Sequence, residues 1–507
     1  MSTEATKPRH IVPCLLLVGV CLFPSVIKLA RYPDYPGSDD AFIHLAIVES
    51  IHRGQGWGIN PNEPVFLSTS PLFTAFFSAV RVCTPDVMEI GMSLSAIASA
   101  LYVLGVFALA RRLTGQTAWG MAAATLAATN VHLWRWNGTF MEVTFAMAAV
   151  TWLINGFLGI QETAGRRRTV LFLLAGLAMA AAVLLRPELG LLCPAFLAHI
   201  ALNNRRRLVT DGVALVAGLA SVILPVLGAL YLVFGHAIPT TATAKTTAGL
   251  LWLNLSVWTQ MAKVAASGCL GSLIIIGLAG VAITLRPATL RWRKLMTTTI
   301  PVWFFPLSGF CFYALKTPTL QSPARYCLPF MATLPVLAAA MGKAVMPVNR
   351  RMLLIAWSLC AFQLATALYM NERLIRPVLH RVLPEYVQTM REAAAQIGVR
   401  AKPGEAVLVF VDIGVVATAR PPEVRILDGG GLATPEFQGL SLSAMIRAGH
   451  PQFILEGLGT ADHFVEQSLR EQGLTFRQVW SRRFSSHSIE HAHDIYEARL
   501  FQLGESP

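Results

Sequence analysis

Long apolar runs recur along the first 370 residues, at roughly 11–30, 87–110, 117–136, 139–159, 169–185, 188–202, 210–234, 268–285, 295–315, 326–342 and 352–370. Several approach the roughly 20 residues that a helix needs to cross the hydrocarbon core of a bilayer. A water-soluble fold would have to bury all of them at once. The chain spares few charges for a wet surface: of 507 residues 54% are hydrophobic and 14% charged, where soluble domains carry about 25% charged residues. Disorder is excluded on the same grounds. The pattern predicts an α-helical polytopic membrane protein with about 11 transmembrane helices.

The charges orient those spans. Residues 371–507 hold 14 Lys or Arg and 16 Asp or Glu, so residues 1–370 carry +15 of the overall +13. With residues 1–10 inside and the spans alternating, the inner loops are 1–10, 111–116, 160–168, 203–211, 286–294 and 343–351. They hold 17 Lys or Arg against three acids, Glu4, Glu162 and Asp211. Arg111–Arg112, Arg166–Arg168, Arg205–Arg207, Arg291–Lys294 and Arg350–Arg351 all fall on that side, as the positive-inside rule requires. No basic stripe is interleaved with aromatic residues, so nucleic acid is not an expected partner. Lys7, Arg9 and the run from Ile11 suit a signal peptide. No small-x-small cleavage site follows, so the run reads as an uncleaved first helix.

Two outer segments stand out by length, 31–86 and 235–267. They are taken as outer loops of a transmembrane portion spanning 1–370. Within the first, the half-apolar stretch 66–83 suits the membrane interface. Residues 371–507 read as a small soluble α/β domain on the outer face. Pro384–Val399 has helical periodicity, and Ala406–Val411, Val424–Leu427 and Gln452–Leu455 read as short buried strands punctuated by Gly414 and Gly429–Gly431. Seven of the eight cysteines lie in apolar runs, none follows residue 360, and no CxxC pair occurs. They read as packing residues, not as disulfides or structural zinc ligands.

The first outer loop begins GSDDAFIHLAIVESI. Ser38 can cap a helix whose first turn carries Asp39 and Asp40, and the helix dipole favours their ionised form. His44 lies one turn beyond Asp40 on the same face. Such a carboxylate pair can bind a divalent cation, with Asp40 as the candidate ligand, or take a proton from a hydroxyl. It can equally be an ordinary acidic helix start. Further ionisable residues sit at the outer ends of the spans: Glu142, Arg186, Glu188, Lys245, Lys316 and Arg325. Snorkelling or helix-end capping would explain some of them, but acids and cations together at one face suit a site that handles a hydroxyl and a phosphate. His487, His491 and His493 read as a solvated loop, since their spacing suits no standard zinc site. Asn137-Gly-Thr139 matches a glycosylation sequon at the edge of a span. Asp412 and Asp428 read as turn residues, with acceptor binding as the lesser reading.

The order of these pieces resembles the polytopic GT-C glycosyltransferases. SDDAFIHLAIVESIHRGQGWGINPNEPVFLSTSPLF is similar to their first outer loop, which runs DDA-aromatic-Ile, Gly-x-Gly, Asn-Pro and Thr/Ser-x-Pro-Leu. FMEVTFAMA resembles a Met-Glu-Thr motif, LLRPELGLL an Arg-Pro-Glu-Gly motif, and ARYCLPFMATLP an Arg-Tyr-x-x-Pro motif. FGHAIPTTATAK is similar to a Gly-x-x-x-Pro-Asn-Thr-x-x-x-Lys loop, with Thr240 in place of Asn and His236 where Asp is common. VDIGVVATARPPEVRILDGGGLAT is similar to the core of their C-terminal outer domain. The nearest branch is the arabinofuranosyltransferase-like one.

The resemblance implies transfer of a sugar from a polyprenyl-phosphate donor to a hydroxyl of a cell-envelope acceptor, at the outer face of the plasma membrane. It implies Asp39 as general base, Asp40 placing the acceptor or a metal, and Lys245, Arg186 and Arg325 on the donor phosphate. His44, Glu142 and Glu188 join the substrate site, the two glutamates either supporting these residues or linking to a metal. A divalent metal is possible, and no nucleotide cofactor is expected, because no βαβ unit surrounds GQGWG. A transporter or flippase would place its charges at mid-membrane within paired repeats, and neither feature is present. A non-catalytic scaffold would leave Asp39, Asp40 and Lys245 without a task. In intact cells, single cysteines placed beside Asp39, beside Lys245 or in residues 371–507 should react with an impermeant maleimide. Cysteines at 166–168 and 205–207 should react only after permeabilisation. Labelling of the Lys245 position from the inside alone would overturn this topology.

Overall fold

A computed structural model describes residues 11–31, 38–244, 254–285, 289–316, 323–345, 350–375, 383–410, 413–459, 464–485 and 495–504. Lys245, Asp412, His487, His491 and His493 fall outside them. The chain divides into two compact units. One comprises Met1–Tyr32, Glu89–Gly228 and Thr246–Met370, and the other Pro33–Met88, Ala229–Lys245 and Asn371–Pro507. This division differs from a single cut at residue 370. Residues 33–88 are not a loop of the membrane portion but part of the core built by the C-terminal residues.

Among the described residues of the chain, five helices are long and apolar enough to cross a membrane: Val87–Thr114, Val143–Ile160, Gly165–Leu185, Arg205–Phe234 and Leu255–Thr284. Two bent pairs, Trp292–Thr298 with Ile300–Leu315 (68°) and Pro323–Met331 with Leu334–Val345 (40°), raise that number to at most seven. Pro301 and Pro335 stand at the starts of the second members, where a missing N–H costs least. Thr333 Oγ1 donates to the Val302 carbonyl at 2.8 Å and ties one bend to the other. The apolar run 117–136 is not one span. It breaks into Thr117–Ala128 and Val131–Trp136 because the Asn130 side chain accepts the N–H groups of His132 (2.9 Å) and Leu133 (3.3 Å), starting a new helix inside the run. At 1.5 Å per residue neither piece reaches across a bilayer. Pro71–Cys83, at 13 residues, is likewise too short to span.

Helix contacts in the first unit rely on small residues. A Cβ on Gly176 would lie 2.1 Å from the Leu215 carbonyl oxygen, and one on Gly218 would lie 2.1 Å from that of Leu173. The helices Gly165–Leu185 and Leu208–Phe234 can cross there only without side chains, as membrane helices commonly do. Elsewhere the second helix shows apolar side chains outward, with Val209 71% and Leu224 65% exposed, as a lipid solvent allows.

The second unit is built on a five-stranded sheet in the order β2-β1-β3-β5-β4. The strands are β1 (Ala406–Phe410), β2 (Arg425–Asp428), β3 (Phe453–Gly459), β4 (Phe476–Ser485) and β5 (Ile495–Leu503). β1 runs parallel to β2 and β3, while β5 is antiparallel to β3 and β4. Both faces of the parallel part are covered, which explains the unbroken apolar AVLVF of β1. One core joins Val407, Val409, Ile426 and Leu455 to Phe42, Ile43 and Ile47 of helix Asp39–His52 and to Met390 and Ile397 of helix Leu383–Arg400. The other joins Ala406, Leu408 and Ile454 to Met445 and Leu469 of helices Leu442–Gly449 and Phe464–Glu471. Asn60 behaves as a partner strand for β2: its Nδ2 donates to the Ile426 carbonyl (2.8 Å), and its Oδ1 accepts the Ile426 N–H (2.9 Å). The sheet edge is thereby closed.

Overpacking a tight helix crossing costs about 1–3 kcal/mol. Gly176→Val should therefore lower the unfolding midpoint of the detergent-solubilised protein by several degrees. Gly156→Ala, where a Cβ meets nothing within 4 Å, should leave it unchanged or raise it slightly. Equal midpoints for the two variants would mean that the crossing does not bear load.

Candidate functional site

In the first unit, three separate sequence motifs converge on one knot of charge. Glu142 stands at the start of helix Val143–Ile160, and Arg186 follows the last residue of helix Gly165–Leu185. The two helices are joined by a short turn, so these residues share one end of the pair, while the exposed Arg166 and Arg167 lie at the other. An acid at a helix start and a cation at a helix end both suit the macrodipole. Pro187 forces Arg186 into an extended backbone (φ −153°, ψ 118°), and the helix stops there. A short 3₁₀ turn, Pro187–Leu191, then presents Glu188. Arg325 comes from helix Pro323–Met331.

The side chains interlock. Arg186 Nη1 lies 3.2 Å from Glu142 Oε1, and its Nη2 lies 2.5 Å from Glu188 Oε1. Arg325 Nη2 donates to the same Glu142 oxygen at 3.3 Å. Arg186 Nη1 also donates to the Arg325 carbonyl at 3.3 Å. The Tyr313 hydroxyl donates to Glu188 Oε1 at 3.1 Å. The Tyr326 ring sits 5.7 Å from each guanidinium carbon, which adds a cation–π contact to both. Glu142, Arg186 and Arg325 are 1%, 4% and 6% exposed. Two acids and two cations balance, which burial of charge requires. Both Glu142 and Glu188 are bound by guanidinium groups, and among the described residues no three His, Cys, Asp or Glu side chains are grouped to hold a metal. The sequence pointed to four of these residues. It missed Tyr313 and Tyr326, although Tyr326 lies inside the Arg-Tyr motif.

The acidic pair belongs to the second unit. Asp39 and Asp40 occupy the first turn of helix Asp39–His52, and Ser38 stands at the cap position. The Ser38 side chain makes no capping hydrogen bond, contrary to the expectation drawn from its position. Asp39 Oδ1 instead accepts the N–H of Val415 at 3.1 Å, in the first turn of helix Ile413–Ala419. This approach needs glycine next door: a Cβ on Gly414 would fall 2.4 Å from the Asp39 carbonyl oxygen and 2.7 Å from its Oδ1. His44 is buried, with its Nδ1 2.9 Å from Thr74 Oγ1, and burial pushes its pKa down to about 4. It is a neutral imidazole at ordinary pH. Ahead of Lys245, the Thr240 hydroxyl donates to the Leu432 carbonyl and that of Thr241 to the Leu67 carbonyl, each at 2.8 Å. These bonds anchor Thr240 and Thr241. Asp428 holds its turn as expected, accepting N–H groups of Gly430 (2.8 Å), Leu432 (2.7 Å) and Ala433 (2.8 Å).

The chain is similar over nearly its whole length to solved membrane enzymes. ArnT from Cupriavidus metallidurans, solved with undecaprenyl phosphate bound, aligns with a TM-score of 0.59 at 12% identity, over 97% of this chain and 98% of that one. The oligosaccharyltransferase of Archaeoglobus fulgidus in its apo form aligns with a TM-score of 0.59 at 11% identity, over 90% of this chain and 70% of that one. The fold is the GT-C fold. A family profile described as dolichyl-phosphate-mannose-protein mannosyltransferase matches residues 69–231, a stretch that contains Glu142, Arg186 and Glu188. No curated protein matches the chain by sequence.

Removing one member of a buried ion network leaves its partner charged and unpaired, at a cost of about 3–5 kcal/mol. Glu142→Ala should therefore lower the unfolding midpoint well beyond the effect of Glu162→Ala, whose partner Arg112 is surface-accessible. If both variants unfold at the wild-type midpoint, the knot contributes nothing to the fold.

Proposed function

We propose that this protein is a membrane glycosyltransferase that moves a sugar from a polyprenyl-phosphate donor to a hydroxyl of a cell-envelope acceptor at the outer face of the plasma membrane. The observation that carries the reading is the likeness of fold, along nearly the whole of both chains, to an enzyme whose structure holds undecaprenyl phosphate. The acceptor oxygen attacks the anomeric carbon while the bond from that carbon to the phosphate oxygen breaks. The hydroxyl proton passes to a carboxylate, and polyprenyl phosphate leaves with the bonding electrons. Asp39 is the base. Its place in a helix first turn and the Val415 N–H on Oδ1 both favour the ionised form that a base must start from. Asp40 places the acceptor and is the residue to which a divalent ion, which would further stabilise developing negative charge, is assigned; Glu142 and Glu188 are committed to guanidinium groups. Lys245 supplies a point charge for the phosphate. Arg186 and Arg325 are assigned to the donor phosphate, with Glu142 and Glu188 fixing the orientation of their guanidinium groups. The sugar is a hexose or a pentose, and arabinofuranosyl transfer is the first pentose to examine.

The test uses the full-length protein in nanodiscs with radiolabelled polyprenyl-phosphate mannose and polyprenyl-phosphate arabinose. A general base contributes about 10²–10⁴-fold in rate, so Asp39→Asn should lose at least a hundredfold in kcat with little change in KM. Lys245→Ala should raise the donor KM instead. An Asp39→Asn protein that transfers sugar at the wild-type rate would remove Asp39 from the chemistry. Absence of transfer or donor hydrolysis with every polyprenyl-phosphate sugar would overturn the transferase reading itself.

A further inference from the structure

The parallel strands of the sheet reverse their winding at β1. Helix Ile413–Ala419, which follows β1, joins the core that holds Val407 and Val409. Val465 and Leu469 of helix Phe464–Glu471, which follows β3, join the opposite core with Leu408 and Ile454. Open α/β sheets bind ligands at the carboxyl ends of the strands beside such a reversal. Asp428 ends β2 there, but both of its oxygens are consumed by the backbone of its own turn.

Glu456 is placed differently. It pairs in register with Phe410, the last residue of β1, and is 2% exposed. Its Oε1 accepts the Val465 N–H at 3.3 Å, whereas its Oε2 is buried and meets no donor. A buried acceptor left unmet costs about 1–3 kcal/mol, more when charged. Burial pushes the carboxyl of Glu456 upward, against the pull of the Val465 N–H and of the Arg499 charge. Beside it the rings of Phe410 and Phe464 stand at right angles with centroids 5.3 Å apart, and Phe464 is 37% exposed. On β5, Arg499 pairs in register with Glu456 and is bound to Glu466 (3.0 Å) and Glu497 (2.8 Å). Three acids around one guanidinium repel a phosphate. No metal-holding group of three is present among the described residues. An apolar ring face beside a buried acceptor suits a neutral, hydroxyl-rich ring.

We propose that Phe410, Glu456 and Phe464, with Arg499 alongside, form a saccharide-binding subsite of the second unit. A sugar hydroxyl donates to Glu456 Oε2, and the C–H face of the ring lies on Phe464. The purpose of this subsite rests on the transferase reading, for which it makes the acceptor a glycan chain gripped away from its reacting end; the binding itself does not need that reading. The experiment is saturation-transfer NMR on the full-length protein in nanodiscs, without donor, against mannobiose, galactobiose, arabinobiose and cellobiose. At least one disaccharide should bind, and Phe464→Ala and Glu456→Gln should each weaken it tenfold or more. Phe464→Ala alters a partly exposed side chain and should keep the wild-type unfolding midpoint, so it carries the test if Glu456→Gln does not fold. Binding of none of the four sugars, or wild-type binding by Phe464→Ala, overturns the subsite. Binding of butylamine in place of the sugars, abolished by Glu456→Gln, overturns the saccharide assignment. Transfer to a monosaccharide acceptor, assayed in parallel, keeps the two readings apart: its absence alongside intact disaccharide binding counts against the transferase, not against the subsite.

Discussion

Arg186 is the centre of the first unit's buried charge, because one guanidinium serves two carboxylates at once. Glu142 and Glu188 reach it from different elements, and Arg325 approaches Glu142 from a third. Taking four charges out of water is expensive, and the arrangement persists only because each is met by an opposite one within about hydrogen-bond distance. That demand fixes where helix Gly165–Leu185 must stop, how Pro187 turns the chain, and how near helix Pro323–Met331 must come. Tyr313 and Tyr326 fill what remains, one with a hydroxyl and one with a ring face. The knot is held by ion pairs and hydrogen bonds from four separate elements, which fixes each guanidinium in one place.

The second unit solves a different problem. A five-stranded sheet with only 137 residues of its own, 371–507, borrows a helix and an edge from residues far upstream. Helix Asp39–His52 covers one face, and Asn60 completes the hydrogen bonding of β2. The glycines of GQGWG serve this arrangement: Gly54 and Gly56 adopt positive φ, and Gly58 lets the Glu63 carbonyl approach to 2.3 Å of where a Cβ would be. GQGWG, which lacks the surrounding βαβ unit of a dinucleotide fingerprint, forms a backbone turn that delivers Asn60 to a strand edge.

Much of this was legible in one dimension, and the failures share a cause. Apolar runs, β1 to β3 and the helix near 384–399 could be read because hydrophobic period is a local property. Glu142, Arg186, Glu188 and Arg325 could be nominated because ionisable groups beside apolar spans are costly and therefore rare. That they would bind one another could not be read, since pairing depends on which helix ends meet. The break at Asn130 was not read, because apolar letters surround it on both sides and its capping bonds appear only in the fold. β4 and β5 escaped because Arg482, Arg483 and Arg499 interrupt the apolar pattern by which a strand is read. The membership of residues 33–88 in the C-terminal core escaped for the plainest reason: contacts between residues hundreds of positions apart leave no local trace.

The bond from Val415 to Asp39 closes across 376 residues. During synthesis Asp39 emerges among the first segments of the chain, whereas the helix that orients its carboxylate emerges only with the last fifth. A growing chain already threaded into the membrane therefore carries the acid without its setting. The acid acquires the geometry that Gly414 leaves room for only when the protein is nearly complete, and an unfinished or truncated copy lacks it.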